Sequence, residues 1–126
     1  MPRRLGIAVY VAGPYTIGQQ VHNVRNMALL SMKLFKMGFT VYCPLLTHFL
    51  DYIHPMGYED WLAFDMEWMR RCDVLVWDAA ECPGVSAGAE REIAEMRRIG
   101  KPVFRSVEEL VHAFCPPQGA GNETVA

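Results

Sequence analysis

Two acidic residues sit where a carboxylate needs a reason. Asp65 lies four residues after Trp61 and three before Trp68, in a helical stripe continued by Met69 and Cys72 that should face a core. Burying a carboxylate is costly unless it is paired, and the cost is accepted chiefly where protons move; the plainer alternative is an Asp at a helix edge bonding a backbone amide. Glu90 closes the run Gly84-Val85-Ser86-Ala87-Gly88-Ala89-Glu90. Small residues leave room for a ligand beside the backbone, and a helix start there favours negative charge. Placed about one turn in, on the side of Ile93 and Ala94, Glu90 is expected to point toward the end of a sheet. The plainer alternative is a solvated Glu beside Arg91 and Glu92, with Gly88 serving close helix-to-sheet packing. Taken together, Asp65 and Glu90 supply what glycosidic-bond cleavage requires. One carboxyl protonates or orients the leaving group, and one carboxylate meets the sugar's cationic carbon. Tyr10, near the end of a strand-like run, is placed to hydrogen-bond such a carboxylate or simply to fill a core.

Other chemistries find less support. His48 and His54 are six apart, which fits neither a helical zinc pair nor a Cys-His ligand spacing, so no metal is expected. Gly13 lacks the surroundings of a dinucleotide fingerprint or a P-loop, so no cofactor is expected either. Ser86 is in no nucleophile elbow; its hydroxyl is suited to capping a helix or to binding a phosphate or sugar oxygen.

The elements that must hold these residues follow from apolar periodicity. Residues 7–12 form a continuous apolar run suited to a parallel strand covered on both faces. A Gly-Pro loop follows, then helical spacing over 20–37 closed by Gly38, and a strand over 39–43 stopped by Pro44. Residues 44–57 show no sustained period and read as an irregular loop over a pocket. A helix over 58–71, a strand over 73–77, a turn-rich stretch over 78–84 and a helix over 85–99 come next. A strand over 102–105 precedes a last helix to Phe114, with Ser106 and Glu109 as its capping box. This alternation predicts an α/β fold, a flavodoxin- or Rossmann-like three-layer sandwich on a parallel sheet of four to five strands. Residues 1–115 form a single domain in this reading, and 116–126 a disordered tail. Ligands of such sheets bind at the strands' carboxyl ends, which singles out the loops 13–18, 44–57 and 78–86.

Composition narrows the function. The chain has 126 residues, enough for one core and too few for two. Hydrophobic residues at 52% against 21% charged argue for a folded protein, and a net charge of -2 lacks the basic excess that a nucleic-acid polymer demands. No apolar run approaches the ~20 residues of a membrane span, and residues 1–4 lead straight into a strand without a secretory h-region. Cys43, Cys72, Cys82 and Cys115 form no CxxC, so reduced thiols in a cytoplasmic protein are expected. The many Met and aromatic residues exceed what a small domain readily hides, and predict a homodimer or larger assembly through the helices bearing Met27, Met32, Met37, Trp61 and Trp68.

Several segments, in order and spacing, resemble the nucleoside 2-deoxyribosyltransferase superfamily. These are Tyr10-Val11-Ala12-Gly13-Pro14-Tyr15-Thr16, Asp65-Met66-Glu67-Trp68-Met69 running into Cys72-Asp73-Val74-Leu75-Val76, Gly84 to Glu90, and Gly100-Lys101-Pro102-Val103. The likeness spans about residues 7–104. The segment DMEWMRRCDVLV is similar to the branch that hydrolyses deoxynucleoside 5'-monophosphates, and GPYT followed by Asn23 is similar to a bacterial and phage branch. The resemblance implies an enzyme, a transferase or hydrolase acting at the N-glycosidic bond of a nucleoside or nucleotide. In it Glu90 is the nucleophile, Tyr10 positions it and Asp65 orients or protonates the base. Gly13, Pro14, Tyr15, Thr16, Gly84, Ser86 and Gly88 would line the substrate, with Thr16 and Ser86 the hydroxyls near a phosphate. The competing expectations are a nucleotide-binding module of the same fold without turnover and a Rossmann-like interaction protein.

Overall fold

A computed structural model describes residues 3–13, 20–77 and 87–114. Four strands, β1 (Ala8–Val11), β2 (Thr40–Tyr42), β3 (Val74–Val76) and β4 (Val103–Phe104), form one sheet in the order β2-β1-β3-β4, every neighbouring pair parallel. Helices α1 (Gln20–Lys36), α2 (Tyr58–Arg71), α3 (Ala87–Arg98) and α4 (Val107–Phe114) alternate with them. The result is a Rossmann-like three-layer α/β sandwich. Its order reverses between β1 and β3, which places the crevice for a ligand at their carboxyl ends.

The two-residue period of the strands divides the core in two. Val9 and Val11 of β1, with Val74 and Val76 of β3, pack against Met27, Leu30 and Leu34 of α1 and Val107 and Leu110 of α4. The residues between them, Tyr10 and Leu75, turn to the opposite face and meet Met69 of α2 and Ile93 and Met96 of α3. A continuous apolar strand is thus explained by helices on both sides of it.

Local chemistry sets the ends of the elements. Gly38 takes φ +102° after α1 and accepts the Leu5 amide at 3.0 Å; a β-carbon there would lie 2.1 Å from the Arg3 carbonyl oxygen, so only glycine fits. Ser106 caps α4 by accepting the Glu109 amide at 3.1 Å, while the Glu109 carboxylate reaches past the cap to the Arg105 amide at 3.0 Å.

Two expectations about elements need correction. The stretch 44–57 is not wholly irregular: two 3₁₀ turns, Pro44–Leu46 and His48–Tyr52, occupy most of it. Pro44 fixes the backbone at the first turn's start, and a 3₁₀ turn this short leaves too little sequence for a period to show. Nor do all the residues assigned to core stripes face inward. Ala94 is exposed, and Trp68, 44% exposed, stacks outside the core on Tyr42 with ring centroids 5.0 Å apart. No helix among the described residues is long and apolar enough to cross a membrane, and Cys43 and Cys72 are buried free thiols.

Candidate functional site

Two hydrogen-bonded acid pairs meet at the carboxyl end of β1. Tyr10 has its ring turned by the strand alternation toward α2 and α3, and its hydroxyl donates to Glu92 Oε2 at 2.5 Å. Both groups are buried, Tyr10 at 0% and Glu92 at 7% exposure. Glu92 belongs to the inward stripe of α3, which runs Ala89, Glu92, Ile93, Met96 at helical spacing. Burial pushes its carboxyl up to about 7, the Tyr10 hydrogen bond pulls the other way, and the nearby charge of Asp65 adds to the rise. Tyr10 is itself held well above its ordinary range, first by burial and then by Glu92, so it stays a proton donor to that carboxylate.

The second pair is His48 and Asp65. Asp65 is 6% exposed on the inward stripe of α2 with Trp61, Leu62 and Met69. Its Oδ2 lies 3.2 Å from His48 Nε2, and its buried Oδ1 has no hydrogen-bond partner among the described residues. The His48 ring lies against Trp61 with centroids 4.3 Å apart. A further carboxylate fixes that arrangement: Asp51 Oδ1 accepts the Trp61 indole N–H at 2.9 Å and the Met56 amide at 2.7 Å, tying the second 3₁₀ turn to α2. Those two bonds, the indole first, hold the Asp51 carboxyl below its ordinary range.

Asp65, His48 and Glu92 all line one cavity of about 420 Å³, together with Gly13 from the end of β1, Met27, Trp61 and Gly88. Its volume suits a small ligand. Apolar walls that also carry two carboxylates and an imidazole can hold a flat ring while handling a proton and a developing positive charge. A larger apolar groove of about 770 Å³ lies beyond Leu45 and His48, between α1 and the 3₁₀ turns; no acidic side chain is among the described residues lining it.

Among the residues expected at the site, Tyr10 and Asp65 are buried within reach of one another's charge, and Gly13 and Gly88 line the cavity. Gly88 packs closely there, since a β-carbon would come 3.1 Å from the Tyr58 hydroxyl. Glu90 is the correction. Its side chain is exposed rather than aimed at the sheet, because position 90 is two residues, about 200° of helix, from the inward Glu92. Pro14, Tyr15, Thr16, Gly84 and Ser86 lie outside the described residues. Glu92, absent from the residues the sequence singles out, is nonetheless marked by its spacing from Ala89, Ile93 and Met96, the same signal that picks out Asp65. In the sequence His48 stands out only as a possible metal ligand, and nothing in the sequence alone brings it to Asp65, seventeen positions away.

The family model Domain of unknown function (DUF7768) matches residues 7–106, and the chain belongs to this family. No curated protein matches the chain.

Proposed function

We propose that this member of the domain family is an enzyme that cleaves or transfers at the N-glycosidic bond of a small nucleoside or nucleoside 5'-monophosphate, with Glu92 as its nucleophile. The observation that carries the reading is the convergence of the Tyr10–Glu92 and His48–Asp65 pairs on one ligand-sized cavity. The ionised Glu92 carboxylate attacks the anomeric carbon as the bond to the base breaks, and the bonding electrons leave with the base nitrogen. A proton on the His48–Asp65 pair, whose Nε2 and Oδ2 lie 3.2 Å apart, goes to that nitrogen. Water, or a second base, then attacks the same carbon, yields its proton to Asp65 and releases the Glu92 carboxylate. The Tyr10 hydroxyl holds Glu92 in line throughout.

Carboxylates on the cavity wall and apolar rings around it suit a single small nucleoside rather than a nucleic-acid polymer. The residues at hand do this chemistry without a metal or cofactor. We further infer a cytoplasmic enzyme, where thiols such as Cys43 and Cys72 stay reduced, and a homodimer or larger assembly. Incubation with a panel of nucleosides and their 5'-monophosphates, with free base followed by chromatography, tests the reading. Base release from at least one compound supports it, and ligand binding without base release from any of them would replace it with a binding module.

A further inference from the structure

The cavity that carries two acids also has an arginine at its mouth. Arg91 lines it one residue before Glu92, beside Tyr58, whose hydroxyl passes over Gly88. The Arg91 guanidinium pairs with Glu59 of α2 through two hydrogen bonds, Nη1 to Oε2 at 3.0 Å and Nη2 to Oε1 at 3.4 Å. Both partners are open to solvent, at 52% and 72% side-chain exposure. Such a pair is weak and readily exchanged. The two acids within, Asp65 and Glu92, would repel an anionic ligand unless a cation met its charged end outside them. A neutral ligand needs no such cation.

We propose that Arg91 is the anchor for a phosphomonoester on the ligand, and that Glu59 holds the guanidinium in place until that group displaces it. This rests on the nucleotide reading above and names the ligand class within it. A guanidinium fork matches two phosphate oxygens as well as it matches two carboxylate oxygens, and the phosphate brings up to two negative charges against one. Glu59 therefore acts as an internal competitor, and the two partners have opposite effects on ligand affinity.

The test is calorimetric titration of a nucleoside and its 5'-monophosphate into three proteins: Glu92→Gln, which holds the ligand unconverted, and the same chain with Arg91→Gln or with Glu59→Gln added. The Glu92→Gln protein is expected to bind the monophosphate about tenfold or more tightly than the nucleoside. Arg91→Gln should remove that preference and leave nucleoside affinity unchanged, while Glu59→Gln should enlarge it. Thermal melts confirm that both surface variants fold. An equal loss for both ligands with Arg91→Gln, no preference in the starting protein, absence of binding by either ligand, or weaker monophosphate binding with Glu59→Gln would overturn the proposal. Base release by the parent enzyme, measured separately, decides the catalytic reading. An active enzyme indifferent to Arg91 refutes the anchor alone, and an Arg91-dependent binder that releases no base refutes the chemistry alone.

Discussion

At the scale of residues, the glutamate of α3 that faces inward decides the chemistry. Glu92→Gln keeps the shape of the side chain and an oxygen to accept from Tyr10, yet removes the nucleophile; base release should fall about 10³-fold or more. The same substitution reports on stability. The Glu92 carboxyl is raised from 4.5 to about 7, so the folded state holds its proton more tightly than the unfolded chain does. Below pH 4.5 both states are protonated and nothing is lost; as pH rises through the window to about 7, the parent loses stability on the order of 3 kcal/mol. Urea titrations should therefore show Glu92→Gln more stable than the parent at pH 8 and close to it at pH 4. Activity runs the other way, because attack needs the carboxylate: kcat/KM should fall about tenfold per pH unit below that same value. A flat profile between pH 5 and 8 would contradict the assignment. The sequence carried half of this site. Asp65 and Glu92 each interrupt an apolar helical stripe, but the glycines around Gly88 point to Glu90, and a two-residue step on a helix exchanges inside for outside.

At the scale of elements, the strands and their alternation with helices are legible because the inner strands β1 and β3 are continuous apolar runs with helices on both faces. The 3₁₀ turns are not, yet they deliver His48 to Asp65. Asp51 is the link that holds the second of them to α2. Asp51→Ala should lower kcat about tenfold by letting His48 and Trp61 drift, with a modest drop in Tm. Unchanged kcat would mean the turn holds its place without that link. The helix ends make a second, independent prediction. Gly38→Ala must place a β-carbon on the Arg3 carbonyl at a positive φ, and should cost on the order of 2 to 3 kcal/mol in urea denaturation. Gly100 also has a positive φ, +79°, but open space around it, so Gly100→Ala should cost only about 1 kcal/mol. Equal losses would show that space does not matter at Gly38.

At the scale of the whole molecule, large apolar side chains remain uncovered on one region. Phe49, Leu50, Tyr52 and Ile53 of the second 3₁₀ turn and its end are more than half exposed, and Leu29 and Met32 of α1 are about half exposed. That clustering supports self-association better than composition could. It also moves the expected contact surface, since Met27 and Trp61 are buried in the chain's own interior at 2% and 9% exposure. Light scattering at micromolar concentration should report a mass above 14.3 kDa, and a pair of lysines in place of Phe49 and Ile53 should reduce it to that value. A parent monomer with full activity would require a site built from one chain. The central claim, though, is chemical. Its most direct test is chromatography of free base after the parent, Glu92→Gln and Glu90→Gln are each incubated with the same nucleosides and 5'-monophosphates. The parent and Glu90→Gln should release base at similar rates and Glu92→Gln should not; base release that survives in Glu92→Gln, or that is lost only in Glu90→Gln, would contradict the account.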